Sequence, residues 1–321
     1  MARVLTVKKT NDYTIQDRFE EYIAEKKALN LAEKTISGYK ESFKKFADVI
    51  DVSMNMNDLD KKDITMFTAD MLDQGDLRPT SINHYLRDIR AFVKWCMANG
   101  YLEKQFKIDL IKYQEEPKKT YTDTELKLLM KKPQGNNFVE YRTYACVMWI
   151  IGTGNRVSTV CNLKISDIDF KKKQVVLGHT KNKKVQVIPL SASLLRIIRD
   201  YIKATTPDDV ERSEYLFCSI TNEQLTPNAL KHAIRDYNLS RGVSITSAHA
   251  LRHTFAKNYI SSGGDCFKLQ KILGHSTLDM TRKYVDLLTE DIQNDFEEHN
   301  LLEKLSSPNG KKHTMKVNKA S

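Results

Sequence analysis

One change of hydrophobic pattern constrains this chain more than any other feature. Residues 13–110 read as helices only, residues 122–305 read as helices mixed with short strands, and 103–121 between them lose periodicity around Pro117-Lys118-Lys119. A chain of 321 residues is long enough for two domains with sizeable cores. The expected layout is a flexible stretch at 1–12, a helical domain at 13–110, a linker at 111–121 and a second domain at 122–305. A basic tail follows from residue 306, with Gly/Pro breakers, four lysines and no apolar pattern, and is expected to stay disordered.

The first domain shows its helices by spacing. Phe19, Tyr22, Ile23 and Lys26 share one face; a second run, opened by Thr35, carries Ile36, Tyr39, Phe43 and Phe46. The clearest run begins at Pro79 and aligns Ile82, Tyr85, Leu86, Ile89, Phe92, Val93 and Cys96, with Asn99-Gly100 as a left-handed stop. Its other face carries Arg87, Arg90 and Lys94, which taken alone a solvated surface explains best. The second domain opens on a capping box, Thr122 to Glu125, followed by a strongly apolar helix over 141–151. The runs 174–178 and 185–189 are β-branched and flank the polar HTKNKK, the pattern of a hairpin. Helices are expected at 191–205, 226–237, 247–261 and 265–273, then from Ser276 through Tyr284 and from Leu287 to Leu305.

Composition removes several classes. Hydrophobic residues make up 40% and charged residues 29%, which is neither a disordered nor a membrane composition. The start, MARVLTVKKT, lacks a signal-peptide core, so a cytoplasmic setting with no membrane partner is expected. Five cysteines stand singly with no CxxC pair, which points to buried free thiols rather than disulfides or zinc. The net charge is +10, and it is unevenly placed: residues 1–119 carry 21 basic and 20 acidic side chains, residues 120–321 carry 30 and 21. The second domain therefore expects a polyanion.

The second domain has no Walker loop, no GxGxxG after a strand and no HExxH. His249 and His253 are spaced to share a metal, but HALRH lacks a general-base glutamate and no third ligand is evident. Cations and imidazoles at helix edges stand out instead. Arg156 follows the turn Thr153-Gly154-Asn155 at the end of the apolar helix. Arg252 and His249 are three apart on one helix face. His275 follows a helix-ending Gly274, a Ser276-x-x-Asp279 capping box opens the next helix, and Tyr284 lies on its third turn. Lys181 sits at the hairpin tip. Taken singly, each has an ordinary structural role as an ion-pair partner, a packing residue or a solvated charge. The set is what carries chemistry.

Five segments, TGNR, TKNKKVQVIPL, HALRHTFA, LGHSTLDMT and RKYVDL, resemble in order and approximate spacing the tyrosine recombinase (phage integrase) family of site-specific recombinases. SINHYLRDIRAFVKWCMANGYL is similar to the last helix of that family's core-binding domain. The resemblance implies a mainly α fold: a helical, SAM-like core-binding domain and a mixed α/β catalytic domain with a small antiparallel sheet, together clamping DNA. It departs at Thr159, where family members commonly carry an acidic residue, and the additional arm-binding domain of the longer integrases is expected to be absent.

The resemblance also implies roles. Breaking a phosphodiester without a metal requires a substitute for the metal's charge, and forked guanidiniums of Arg156 and Arg252 supply it at the non-bridging oxygens. A protein nucleophile, Tyr284, conserves the bond energy as a phosphotyrosine, so neither ATP nor any other cofactor is implied. The phenol, with an ordinary pKa near ~10, needs a base, for which His249 is the candidate. Lys181 aligns with the lysine that protonates the departing 5′ oxygen, with Lys183 and Lys184 as neighbouring competitors. His275 would bind the phosphate or help hold the tyrosine. Phosphate contacts are expected from Arg87, Arg90 and Lys94, from Lys171, Lys172 and Lys173, and from Lys183 and Lys184. The implied partners are double-stranded DNA, sister subunits in a tetramer on DNA joined through the segment after Leu287, and accessory DNA-bending or directionality proteins. A mobile bacterial element is the implied setting. Two other readings compete: a type IB topoisomerase, which would relax supercoils as a monomer without a preferred site, and a DNA-binding regulator that never cleaves.

Overall fold

The computed structural model describes residues 13–114, 119–178, 185–206 and 212–285. The chain divides into two units, Met1–Glu116 and Pro117–Ser321. The flexible 1–12, the hairpin-tip lysines Lys181, Lys183 and Lys184, the segment from Leu287 and the tail from residue 306 lie outside the described residues.

The first unit is helical: α1 (Ile15–Ala28), α2 (Glu33–Ala47), α3 (Lys61–Asp73) and α4 (Pro79–Ala98). Thr14 and Asp17 close a reciprocal capping box that starts α1. Helix α2 begins at Glu33, two residues before the expected start at Thr35, and has no side-chain cap. Helix α4 takes Pro at its first position, and it ends in a Schellman turn: Tyr101 N–H donates to the Cys96 carbonyl at 2.9 Å and Gly100 to Met97 at 3.2 Å. Gly100 supplies the left-handed φ of 73° that this turn requires. An aromatic core joins the helices, with Phe19 stacked on Phe43 at 3.7 Å between centroids and edge-on to Phe92 at 5.3 Å. Helix α3, whose buried face is only Ile64, Phe67 and Met71, was not among the expected runs.

The second unit contains α5 (Asp123–Leu129), α6 (Phe138–Thr153), α7 (Val157–Asn162), strands β1 (Ile168–Asp169), β2 (Gln174–Leu177) and β3 (Gln186–Pro189), then α8 (Ala192–Ala204), α9 (Pro227–Ser240), α10 (Ala248–Ser261), α11 (Cys266–Leu273) and α12 (Asp279–Val285). The strands form one antiparallel sheet, ordered β1-β2-β3, with Val175 opposite Ile188. Val175, Leu177 and Ile188 are buried while Val176 and Val187 face out, the alternation of a half-covered sheet. Helix α6 is apolar all round because α8, α9 and α10 pack against it. The Thr122–Glu125 capping box opens α5 as the spacing predicts. Helix α12 corrects an expectation. It begins at Asp279, with Thr281 and Arg282 N–H donating to the Leu278 carbonyl, so Ser276 does not cap it and Tyr284 falls on its second turn. Ser276 Oγ contacts Met280 Sδ instead.

The ends of the expected linker are tied down. Asn83 exchanges two hydrogen bonds with the Ile111 backbone, at 2.9 and 2.8 Å. Tyr121 donates its backbone N–H to Thr254 and its hydroxyl to the Ile245 carbonyl. Both junctions are partly or fully buried polar contacts, which no local pattern in a charged segment announces. Four of the five cysteines are buried free thiols and Cys266 is half-buried. No helix of the described residues is long and apolar enough to cross a membrane.

Candidate active site

The site is assembled where the end of α6, the first half of α10 and the end of α11 meet. Gly154 ends α6 in a left-handed conformation, φ 66°. A Cβ there would lie 2.4 Å from the Phe255 ring and 2.7 Å from Leu273, so both backbone and packing require glycine. The chain then turns to place Arg156 just before α7. Gly274 ends α11 in the same way, φ 62°, and the His275 N–H folds back to the Gln270 carbonyl at 3.1 Å.

The last carbonyls of a helix point outward and carry partial negative charge. Here the site's cations and one amide take them up. Gln186 of β3 donates to the Lys271 and Ile272 carbonyls. Arg252 donates to the Leu273 carbonyl at 2.9 Å and to the Gly154 carbonyl at 2.6 Å. Arg156 reaches the same Leu273 carbonyl at 3.4 Å. Two guanidiniums thus converge on one helix end, and among the described residues no carboxylate pairs with either. Burial, and then the charge of Arg156, push the Arg252 pKa down to about 10. Burial lowers Arg156 as well. Two partly or fully buried cations with no carboxylate partner among the described residues make this helix end a candidate anion seat.

His275 Nε2 lies 2.9 Å from Arg252 Nη2, and its Nδ1 lies 2.8 Å from Thr281 Oγ1. A guanidinium only donates, so Nε2 accepts, which puts the ring proton on Nδ1, facing Thr281. Tyr284 is buried against Ala256, Leu269 and Leu273. Its pKa is raised by burial and pulled back in part by Arg252 and Arg156. The Tyr284 hydroxyl lies 2.6 Å from His253 Nδ1.

Of the residues expected from sequence, the structure therefore brings together Arg156, Arg252, His275 and Tyr284. His249 is exposed on α10, its ring 5.9 Å from that of His253 and one turn away from the contact with the phenol. The histidine beside Tyr284 is His253, which sequence reasoning weighed only as a metal ligand. Gln186 was missed altogether. Among the described residues no group of three or more His, Cys, Asp or Glu side chains is placed to hold a metal. Lys171, Lys172 and Lys173 are exposed on the turn between β1 and β2, where Asp169 accepts from the Lys171 and Lys172 N–H groups. Arg87 and Lys94 are exposed on α4, with Arg90 half-buried.

Comparison with known proteins adds an independent line. Residues 119–291 match the Phage integrase family and residues 14–110 match the Phage integrase SAM-like domain. The tyrosine recombinase XerA of Pyrococcus furiosus is 31% identical over 228 residues, covering 70% of this chain and 76% of the relative. Among solved structures, the Tn1549 transposon integrase in complex with transposon right end DNA covers 89% of this chain and 99% of its own, with 21% identity and a TM-score of 0.75. A lambda integrase tetramer bound to a Holliday junction covers 86% of this chain and 82% of its own, with 18% identity and a TM-score of 0.66. The fold is shared with these integrases, and the chain belongs to the phage integrase family of tyrosine recombinases.

Proposed function

We propose that this chain is a site-specific DNA recombinase that cuts and rejoins strands through a 3′-phosphotyrosine link at Tyr284. The observation that carries the reading is the pair of guanidiniums, Arg156 and Arg252, held on the Leu273 carbonyl without a carboxylate among the described residues, with the buried Tyr284 packed in one cluster with Leu273. A scissile phosphate seated there would take the forked hydrogen bonds now made to the Leu273 and Gly154 carbonyls. Negative charge growing on its non-bridging oxygens would meet donors already in place. His275, fixed as an acceptor toward Arg252, orients that guanidinium. Lys181 protonates the departing 5′ oxygen. Exposed Arg87 and Lys94, half-buried Arg90, the Lys171–Lys173 turn, and Lys183 and Lys184 contact backbone phosphates.

Double-stranded DNA as the partner is supported by the DNA complexes of the integrases that share this fold, and a tetramer as the working assembly by the lambda integrase tetramer. Integration or excision of a mobile element is the setting, with accessory DNA-bending or directionality proteins as further partners. The direct test first locates repeats in the DNA flanking the gene and then uses a nicked duplex carrying them, on which cleavage traps the covalent protein–DNA adduct. Tyr284→Phe, which removes one hydroxyl, is expected to bind this duplex as the wild type does and to form no adduct. An adduct with the phenylalanine chain would refute Tyr284 as nucleophile. Relaxation of supercoiled plasmid lacking the repeats would turn the reading toward a topoisomerase.

A further inference from the structure

The Tyr284 hydroxyl needs a proton acceptor, and the geometry leaves few candidates. Its raised pKa keeps the phenol protonated at neutral pH, so attack on phosphorus requires a base in contact with the oxygen. His275 is committed, since Nε2 accepts from Arg252 and Nδ1 faces Thr281. His249 is exposed a turn away on α10. His253 Nδ1 lies 2.6 Å from the hydroxyl, with the two rings 5.7 Å apart. Arg252 and His253 are consecutive on α10, and a step of about 100° around a helix aims one side chain at the anion seat and the next at the nucleophile.

We propose that His253 is the general base of strand cleavage, a role that rests on Tyr284 being the nucleophile. As the Tyr284 oxygen bonds to phosphorus and the phosphorus–5′-oxygen bond breaks, the phenol proton passes to Nδ1 of His253. The departing 5′ oxygen takes its proton from the Lys181 ammonium. In rejoining, the 5′ hydroxyl attacks and gives its proton back to the Lys181 amine, while Nδ1 returns its proton to the leaving tyrosine oxygen. The imidazolium that exists between the two steps is formed near Arg156 and Arg252, and the phosphodiester bound by those guanidiniums offsets its charge.

Chemical rescue tests this on the full chain with the nicked duplex described above, scoring adduct formation in a single turnover. His253→Ala is expected to be slower by roughly 10²- to 10⁴-fold. Added imidazoles of graded basicity should restore its rate in the order of their basicity, as a proton acceptor must and a cavity filler need not. His253→Asn can hold the hydroxyl but cannot take its proton, so it should remain slow; it carries the test if the alanine chain does not fold. Rescue that ignores basicity, or wild-type rates with His253→Asn, would reduce His253 to a positioning residue and overturn the proposal. A variant faster than wild type would make His253 a latch on an idle tyrosine, and basicity-dependent rescue of His249→Ala alone would return the role to His249. Adduct formation by Tyr284→Phe would sink the nucleophile assignment itself, however the His253 variants behave.

Discussion

Each unit contains an arginine buried to the same degree, Arg18 at 5% exposure and Arg252 at 4%, and the two are kept in opposite ways. Arg18, on α1, pairs with Glu21 at 2.7 Å and lies over the rings of Tyr101 at 3.6 Å and Tyr13 at 4.1 Å. Its charge is spent inside the unit. Arg252 is bonded to two carbonyls and an imidazole beside a second guanidinium, and its pKa is depressed. A buried cation is costly unless paired. Arg252 lies among neutral acceptors, a costly arrangement that a bound anion would relieve.

The largest break in this comparison comes from exchanging each arginine for lysine, which keeps the charge and loses the fork. Arg252→Lys should lower adduct formation on the order of 10³-fold, within the range for a lost transition-state donor. Arg18→Lys should leave the cleavage rate within about twofold and instead lower the stability of its unit by about 1–2 kcal/mol through the lost stacking, read from chemical denaturation. Equal kinetic effects would erase the distinction. Next in size is a test that separates charge stabilisation from proton delivery. Lys181→Ala should be slow on ordinary DNA and largely recovered when sulfur replaces the bridging 5′ oxygen, since a thiolate leaves without a proton. Arg156→Ala should recover much less, because the non-bridging oxygens are unchanged. Recovery by Lys183→Ala or Lys184→Ala in place of Lys181→Ala would shift the hairpin register. The smallest effect is thermal. Inorganic phosphate at ten times its dissociation constant should stabilise the second unit by about 1.4 kcal/mol. That raises its Tm by roughly 3–6 °C. Arg252→Gln should abolish this shift while Arg18→Lys preserves it.

The sequence was most informative wherever one residue's chemistry acts on its own neighbourhood. Capping boxes at Thr14 and Thr122, Pro79 at the head of α4 and glycines 100, 154 and 274 at helix ends act within a turn of chain, so their meaning is local. The three-residue buried face of α3 and the two-residue β1 were too brief for periodicity to register. Ser276 and Asp279 had the spacing of a capping box, but the chain leaving Gly274 stays irregular through Leu278, and a spacing carries no information about backbone direction.

By itself, then, the sequence determined the two-part layout, most of the helices and the identity of the cations, imidazoles and phenol available for chemistry. It could not decide which histidine comes to lie beside the tyrosine. His249 and His253 lie one turn apart on the same helix, and local rules treat them alike. Only the packing of α12, which brings Tyr284 back across 31 positions to His253, breaks that tie. The same holds for Gln186, joined to the end of α11 across 86 positions. Such contacts depend on where whole helices come to rest, and that is set by the burial of α6, α10 and α11 together rather than by any run of residues.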